Sequence, residues 1–133
     1  MSLLLIFLLT AMQAGAQHIA VQQPYTDPAT AYGPDYIKPQ FYGGDSMLHK
    51  YFLAHEKYPD TARENNIMGR VVVRFLVDEK GHISHTALLR GIGGGCDEEA
   101  LRLIKEMPAW QPATYKNVPV PSVQILFVTF NLE

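Results

Sequence analysis

The chain has 133 residues, of which 47% are hydrophobic and 18% charged, with a formal charge of −2 at pH 7. That length holds one domain of ordinary globular composition, and the charge balance excludes a nucleic-acid partner, because no cluster of Lys and Arg offers a face to phosphates. A single cysteine, Cys96, excludes an internal disulfide, so packing alone must hold the fold together.

Residues 3–9 are unbroken apolar, and Ala14-Gly15-Ala16 follows in the small-x-small form of a signal peptidase site. The expectation is a signal peptide over residues 1–16 and export. The stretch from 3 to 16 falls short of the roughly 20 apolar residues that a membrane-crossing helix needs. No Lys or Arg precedes it, so a true start further upstream, carrying an inner-membrane anchor, is kept open. Residues 17–40 contain Pro24, Pro28, Pro34 and Pro39, little apolar periodicity and scattered tyrosines, which predicts an extended tether; a docking peptide is its alternative.

The folded domain is expected over residues 41–133. Asp45 or Ser46 can cap a helix in which Leu48, Tyr51, Phe52 and His55 form one apolar stripe. Pro59 suits the first turn of a second short helix reaching about Asn66, with Asp60 near its positive end. From Arg70 to Val77, Val71, Val73, Phe75 and Val77 alternate with Arg70, Val72, Arg74 and Leu76, the pattern of a strand. Asp78-Glu79-Lys80-Gly81 is a turn into an antiparallel partner over residues 83–90. A glycine-rich break over residues 91–95 precedes a helix with Asp97, Glu98 and Glu99 in its first turn and Ala100, Leu101, Ile104 and Met107 on its buried side; Pro108 ends it. Cys96 fits a small buried residue at that helix start. Trp110 packs over the helix end. Residues 112–115 and 118–120 flank a Lys116-Asn117 turn, and Pro119 and Pro121 favour an edge position there. A long strand over residues 123–132, apolar on both faces, closes the chain. One account covers its faces with a helix and with the N-terminal segment.

Several chemistries drop out. Gly91-Ile92-Gly93-Gly94-Gly95-Cys96 lacks the last glycine of G-x-G-x-x-G and has no GKS or GKT, and three acidic residues beside it repel phosphate. His82 and His85 lie on opposite faces of a strand, and His49 and His55 lie about 240° apart on a helix, so neither pair converges on a metal. No Ser, His and Asp set supports nucleophilic catalysis. The expectation is therefore a non-enzymatic protein with no cofactor, no metal and no small-molecule substrate. What remains is the last strand, whose backbone can pair with an incoming extended peptide if it lies at a sheet edge.

The order of motifs resembles a known family. Gly43-Gly44, a short helix, Tyr58-Pro59-x-x-Ala62-Arg63, residues 69–81, Arg90-Gly91-Ile92-Gly93-Gly94-Gly95-Cys96-Asp97-Glu98-Glu99-Ala100 and Met107-Pro108-Ala109-Trp110-Gln111-Pro112 follow one another as in the TonB C-terminal domain of energy-transducer proteins. The resemblance implies an α+β fold, a small antiparallel sheet of three or four strands with helices packed on one face. It implies a periplasmic module that engages outer-membrane TonB-dependent transporters by adding their TonB box as a strand. It places that contact on Gln124, Ile125, Leu126, Phe127 and Val128 through main-chain groups, with Tyr58 and Pro59 ordering the helix beside the edge. Where relatives carry a basic residue three positions after the tyrosine, this chain has Thr61, with Arg63 two later. A force-transmitting TonB also has an anchor helix and a long Pro-rich spacer, patterns not visible here, so the resemblance implies binding rather than pulling. Two alternatives stand beside this reading: an energy-transducing TonB subunit with a misassigned start, and a self-associating envelope protein whose edge pairs with its twin in a homodimer.

Overall fold

In a computed structural model, the chain is described over residues 32–132. The expected signal peptide and residues 17–31 of the expected tether lie outside the described residues. The element order is β1 (Tyr36–Ile37), α1 (Gly44–His55), α2 (Asp60–Glu64), β2 (Gly69–Val77), β3 (Ile83–Arg90), α3 (Cys96–Lys105), β4 (Ala113–Tyr115), β5 (Val118–Val120) and β6 (Ser122–Phe130). The strands make two antiparallel three-stranded sheets, ordered β3-β2-β6 and β1-β4-β5. The α+β class stands, with a second small sheet added to the expected one.

Strand β2 is the centre. Its inward residues Val71, Val73, Phe75 and Val77 are all fully buried, while Arg70 and Arg74 are exposed. Burying each such apolar side chain contributes roughly 1.5–3 kcal/mol, so this one strand supplies a large part of the driving force. Ala100, Leu103 and Ile104 of α3, Val128 and Phe130 of β6, and Leu48 of α1 close the core over it. Cys96 is fully buried at the first position of α3, and burial pushes its thiol above the ordinary range.

The turns follow their residues. Asp78 accepts hydrogen bonds from the backbone N–H groups of Lys80 and His82, both 2.9 Å, which holds its carboxyl below the usual range. Gly81 has φ +84°, and a Cβ there would lie 1.8 Å from the Trp110 carbonyl oxygen. Trp110 in turn donates its N–H to the Gly81 carbonyl at 2.8 Å and packs edge-on against Phe75 and Phe41. The tryptophan is thus sealed into the core by the hairpin turn. Lys116 and Asn117 both have positive φ, the geometry of a tight two-residue hairpin between β4 and β5.

Four local expectations are corrected. Helix α1 starts at Gly44 with Gly43 as its N-cap, and no side chain caps it; Gly44 N–H bonds back to Phe41 instead, leaving Asp45 in the first turn beside the helix's positive end. His55 is exposed and stacks on Tyr51 at 4.6 Å rather than joining the buried stripe. Helix α2 ends at Glu64, because Asn66 adopts φ +54°. The last strand ends at Phe130, not 132.

Structured chain begins before residue 41. Tyr36 and Ile37 pair with Tyr115 and Thr114, and Gln40 exchanges two backbone hydrogen bonds with Gln111. Among the described residues, no helix is long and apolar enough to cross a membrane.

Gly81→Ala is expected to destabilise the domain by at least about 1–3 kcal/mol, the range for a strained backbone conformation, with the clash against Trp110 added. A urea midpoint unchanged from the parent would contradict this lock.

Candidate functional site

The two edges of the main sheet differ. Strand β3 pairs with β2 through two register shifts, between Val72 and Val73 and between Arg74 and Leu76, with His85 in a left-handed conformation at the second. Such bulges bend an edge away from further pairing. Strand β6 pairs with β2 residue for residue over nine positions, from Gly69 with Phe130 to Val77 with Ser122, without a shift. Among the described residues β6 pairs with β2 alone, so it is the regular edge of the sheet. Gln124, Ile125, Leu126, Phe127 and Val128 form its middle, a contiguous stretch.

The inward side of that edge is hollow. A cavity of about 310 Å³ is lined by Gln124 and Leu126 of β6, by residues 37–41 of the N-terminal segment, Lys38 and Gln40 among them, and by Asp45, Leu48 and Trp110. The described N-terminal segment therefore lies on the core side of β6, not over its opposite face. Tyr36 shares a 2.7 Å hydrogen bond with Ser122 at the start of the strand, and the Gln124 amide donates to Ser122 Oγ and to the Val123 carbonyl. Trp110 Nε1, in a residue only 4% exposed, has no hydrogen-bond partner. A side chain on a strand added beside β6, level with Gln124 or Leu126 and on the same face, would meet this hollow.

Tyr58 and Pro59 lie elsewhere. Tyr58 donates its hydroxyl proton to the Ile67 carbonyl, packs edge-on against Phe130 at 5.7 Å and carries the Arg63 guanidinium over its ring. It touches the far end of β6, beyond the Gln124–Val128 stretch. Pro59 caps α2 and packs toward Gly95 at the start of α3.

What orders the Tyr-Pro segment was not legible in the sequence. Glu99, 8% exposed, accepts two hydrogen bonds from Arg102, at 2.6 and 2.8 Å, and one from the Lys57 N–H at 2.5 Å. Arg102 also bonds Glu106 and the His55 carbonyl at the end of α1. One ion pair therefore joins α1, the segment before α2, and α3. Burial alone would raise the Glu99 carboxyl; the guanidinium and the backbone donor outweigh it and hold the group below its ordinary range.

The stretch over residues 54–132 matches the model of the Gram-negative bacterial TonB protein C-terminal family. The chain belongs to that family. The matched region runs from the end of α1 through β6, so it contains the regular edge and the Glu99–Arg102 pair, while β1 lies outside it. The chain is also similar to the solution NMR structure of the Helicobacter pylori TonB C-terminal domain, with 16% identity, a TM-score of 0.44, and coverage of 84% of this chain and 100% of that one. No curated protein matches.

In this member of the TonB C-terminal family the glycine-rich loop holds its own anion. Asp97 Oδ1 accepts from the N–H groups of Ile92 and Gly93, at 2.8 and 3.2 Å, and fills the space that a Cβ at Gly91 would need. Among the described residues no three His, Cys, Asp or Glu come together as a metal site.

The depressed Glu99 carboxyl makes an acid-dependence prediction. Its stabilisation is fully present above the unfolded-state pKa of a glutamate and is lost as pH falls through the lower folded-state value. Glu99→Gln should therefore lower stability at neutral pH and flatten its decline on acidification. Parallel stability–pH curves for the two proteins would show that the carboxylate has no such role.

Proposed function

We propose that this domain is a periplasmic peptide-binding module that takes up an extended segment, the TonB box of an outer-membrane transporter, as a fourth strand beside β6. The observation that carries the reading is the contrast of the two sheet edges: β3 is broken by two bulges, and β6 is unshifted and bordered by a cavity of mixed polar and apolar lining. An edge of this kind supplies affinity through main-chain hydrogen bonds, and the cavity gives room for one side chain on the inward face. Membership of the TonB C-terminal family, an interaction family rather than an enzyme family, supports the same reading. Gln124 to Val128 are the docking residues under this proposal. Tyr58 and Pro59 act indirectly, by holding α2 and the end of β6.

The test is an NMR titration of the protein with TonB-box peptides from transporters of the same organism. Chemical-shift changes and slowed amide exchange are expected along residues 123–130, and Trp110, the chain's single tryptophan, should change its fluorescence as the cavity fills. Ile125 and Leu126 are adjacent, so one N–H faces β2 and the other faces away from it. Proline at the outward-facing position leaves the fold intact and removes a donor to the peptide. Binding by that folded variant at parental affinity would refute docking on this edge. Concentration-dependent dimerisation that blocks the peptide would instead identify the edge as a self-association surface.

A further inference from the structure

The face of the main sheet turned away from the helices has a composition unlike a solvated surface. Pairing register and burial assign it four rows across the strands: Arg70 beside Thr129; Arg90, Val72 and Phe127; Ala87, Arg74 and Ile125; Ser84, Leu76 and Val123. A sheet face left to water normally alternates polar residues against the buried set. This one carries an apolar band on β6 and the middle of β2, with Phe127 59% exposed and Met68, at its margin, 51% exposed.

Every charged side chain in those rows is an arginine. Among the described residues, Arg70, Arg74 and Arg90 make no ion pair and no side-chain hydrogen bond, whereas the chain's other arginines, Arg63 and Arg102, both have partners. Asp78, in the turn after β2, and Asp97, in the first turn of α3, accept hydrogen bonds from backbone N–H groups. A groove of about 370 Å³ runs between Arg70, Arg90, Val72, Ile92 and Phe127. Arginine and aromatic side chains without Lys, Asp or Glu are the composition of a protein-interface centre.

We infer that this open face is a second docking surface, whose occupant is an acidic amphipathic segment of a partner protein. Charge complementarity selects the occupant. Guanidinium groups present a planar fork that binds carboxylates with two parallel hydrogen bonds, and the apolar band beside them takes apolar residues on the same face of the segment as those carboxylates. Arg70 and Arg74 are four residues apart on one strand, so the matching carboxylates lie roughly 13 Å apart, flanking apolar residues. A second copy of this chain does not fit face to face, because arginines would meet arginines. The surface uses side chains of the sheet face, not the backbone of β6, and so stands or falls separately from strand addition at that edge.

The experiment uses two synthetic peptides of equal length, titrated into isotope-labelled protein: one carries Glu at positions i and i+4 with Leu or Phe at i+2, so that all three share one face of an extended chain, and the other has Lys in place of each Glu. The acidic peptide is expected to shift Val72, Arg74, Ile125 and Phe127, and Arg74→Glu or Arg70→Glu to weaken it at least about tenfold. Both arginines are exposed and unpaired, so the variants should unfold like the parent, which a thermal melt checks. The Lys peptide should bind the Arg74→Glu variant better than it binds the parent. Equal binding of both peptides, binding of neither, or shifts along the β6 edge that ignore the arginine variants would overturn the proposal. Stronger response of the same residues to anionic phosphatidylglycerol vesicles than to the acidic peptide would overturn it in favour of a membrane surface.

Discussion

The structure depends on the strict alternation of one strand. Val71, Val73, Phe75 and Val77 are without solvent contact, and the residues between them are not. Because the period of a strand is two, a shift of β2 by a single position would turn four buried side chains into water and bring Arg70 and Arg74 into the core. That penalty fixes the register with both neighbours. It also fixes the face on which the helices lie, the one that carries the valines.

Much of this was legible because local and global signals agree. The alternation of β2, the Asp78 to Gly81 turn, the acidic start and proline stop of α3, and the Lys116-Asn117 hairpin each follow from residue types whose backbone preferences the tertiary structure leaves in force. The position of residues 124–128 on a sheet edge was also foreseeable, though from family resemblance more than from periodicity. Elsewhere distance along the chain hid the answer. Tyr36 and Ile37 form a strand only because Tyr115 and Thr114 lie opposite, and two residues among prolines carry no period. Glu99 and Arg102 have the spacing of an ordinary solvated helix pair. Only the approach of Lys57 and the end of α1 makes that carboxylate a buried junction. The bulges of β3 were equally hidden, since nothing about Ser84-His85-Thr86 marks a left-handed residue.

The core and the helix layer are held by different physics. Under the sheet the contacts are aromatic, with Trp110 between Phe41 and Phe75. Across the helices a charged pair with hydrogen bonds to two backbone segments does the joining. The charged side is the one whose strength depends on protonation, through Glu99. A cavity lies where the N-terminal segment meets the sheet, and the segment is held there by the backbone bonds of Gln40 with Gln111 and by the buried ring of Phe41.

The uninterrupted antiparallel pairing of β6 with β2 also has a mechanical meaning. A load applied along β6, or along any chain paired beside it, would run parallel to the strands and across their hydrogen bonds. Nine residue pairs would then carry the load together in shear, rather than parting one after another as in peeling. An edge interrupted by bulges, like that of β3, would concentrate the same tension at its irregularities.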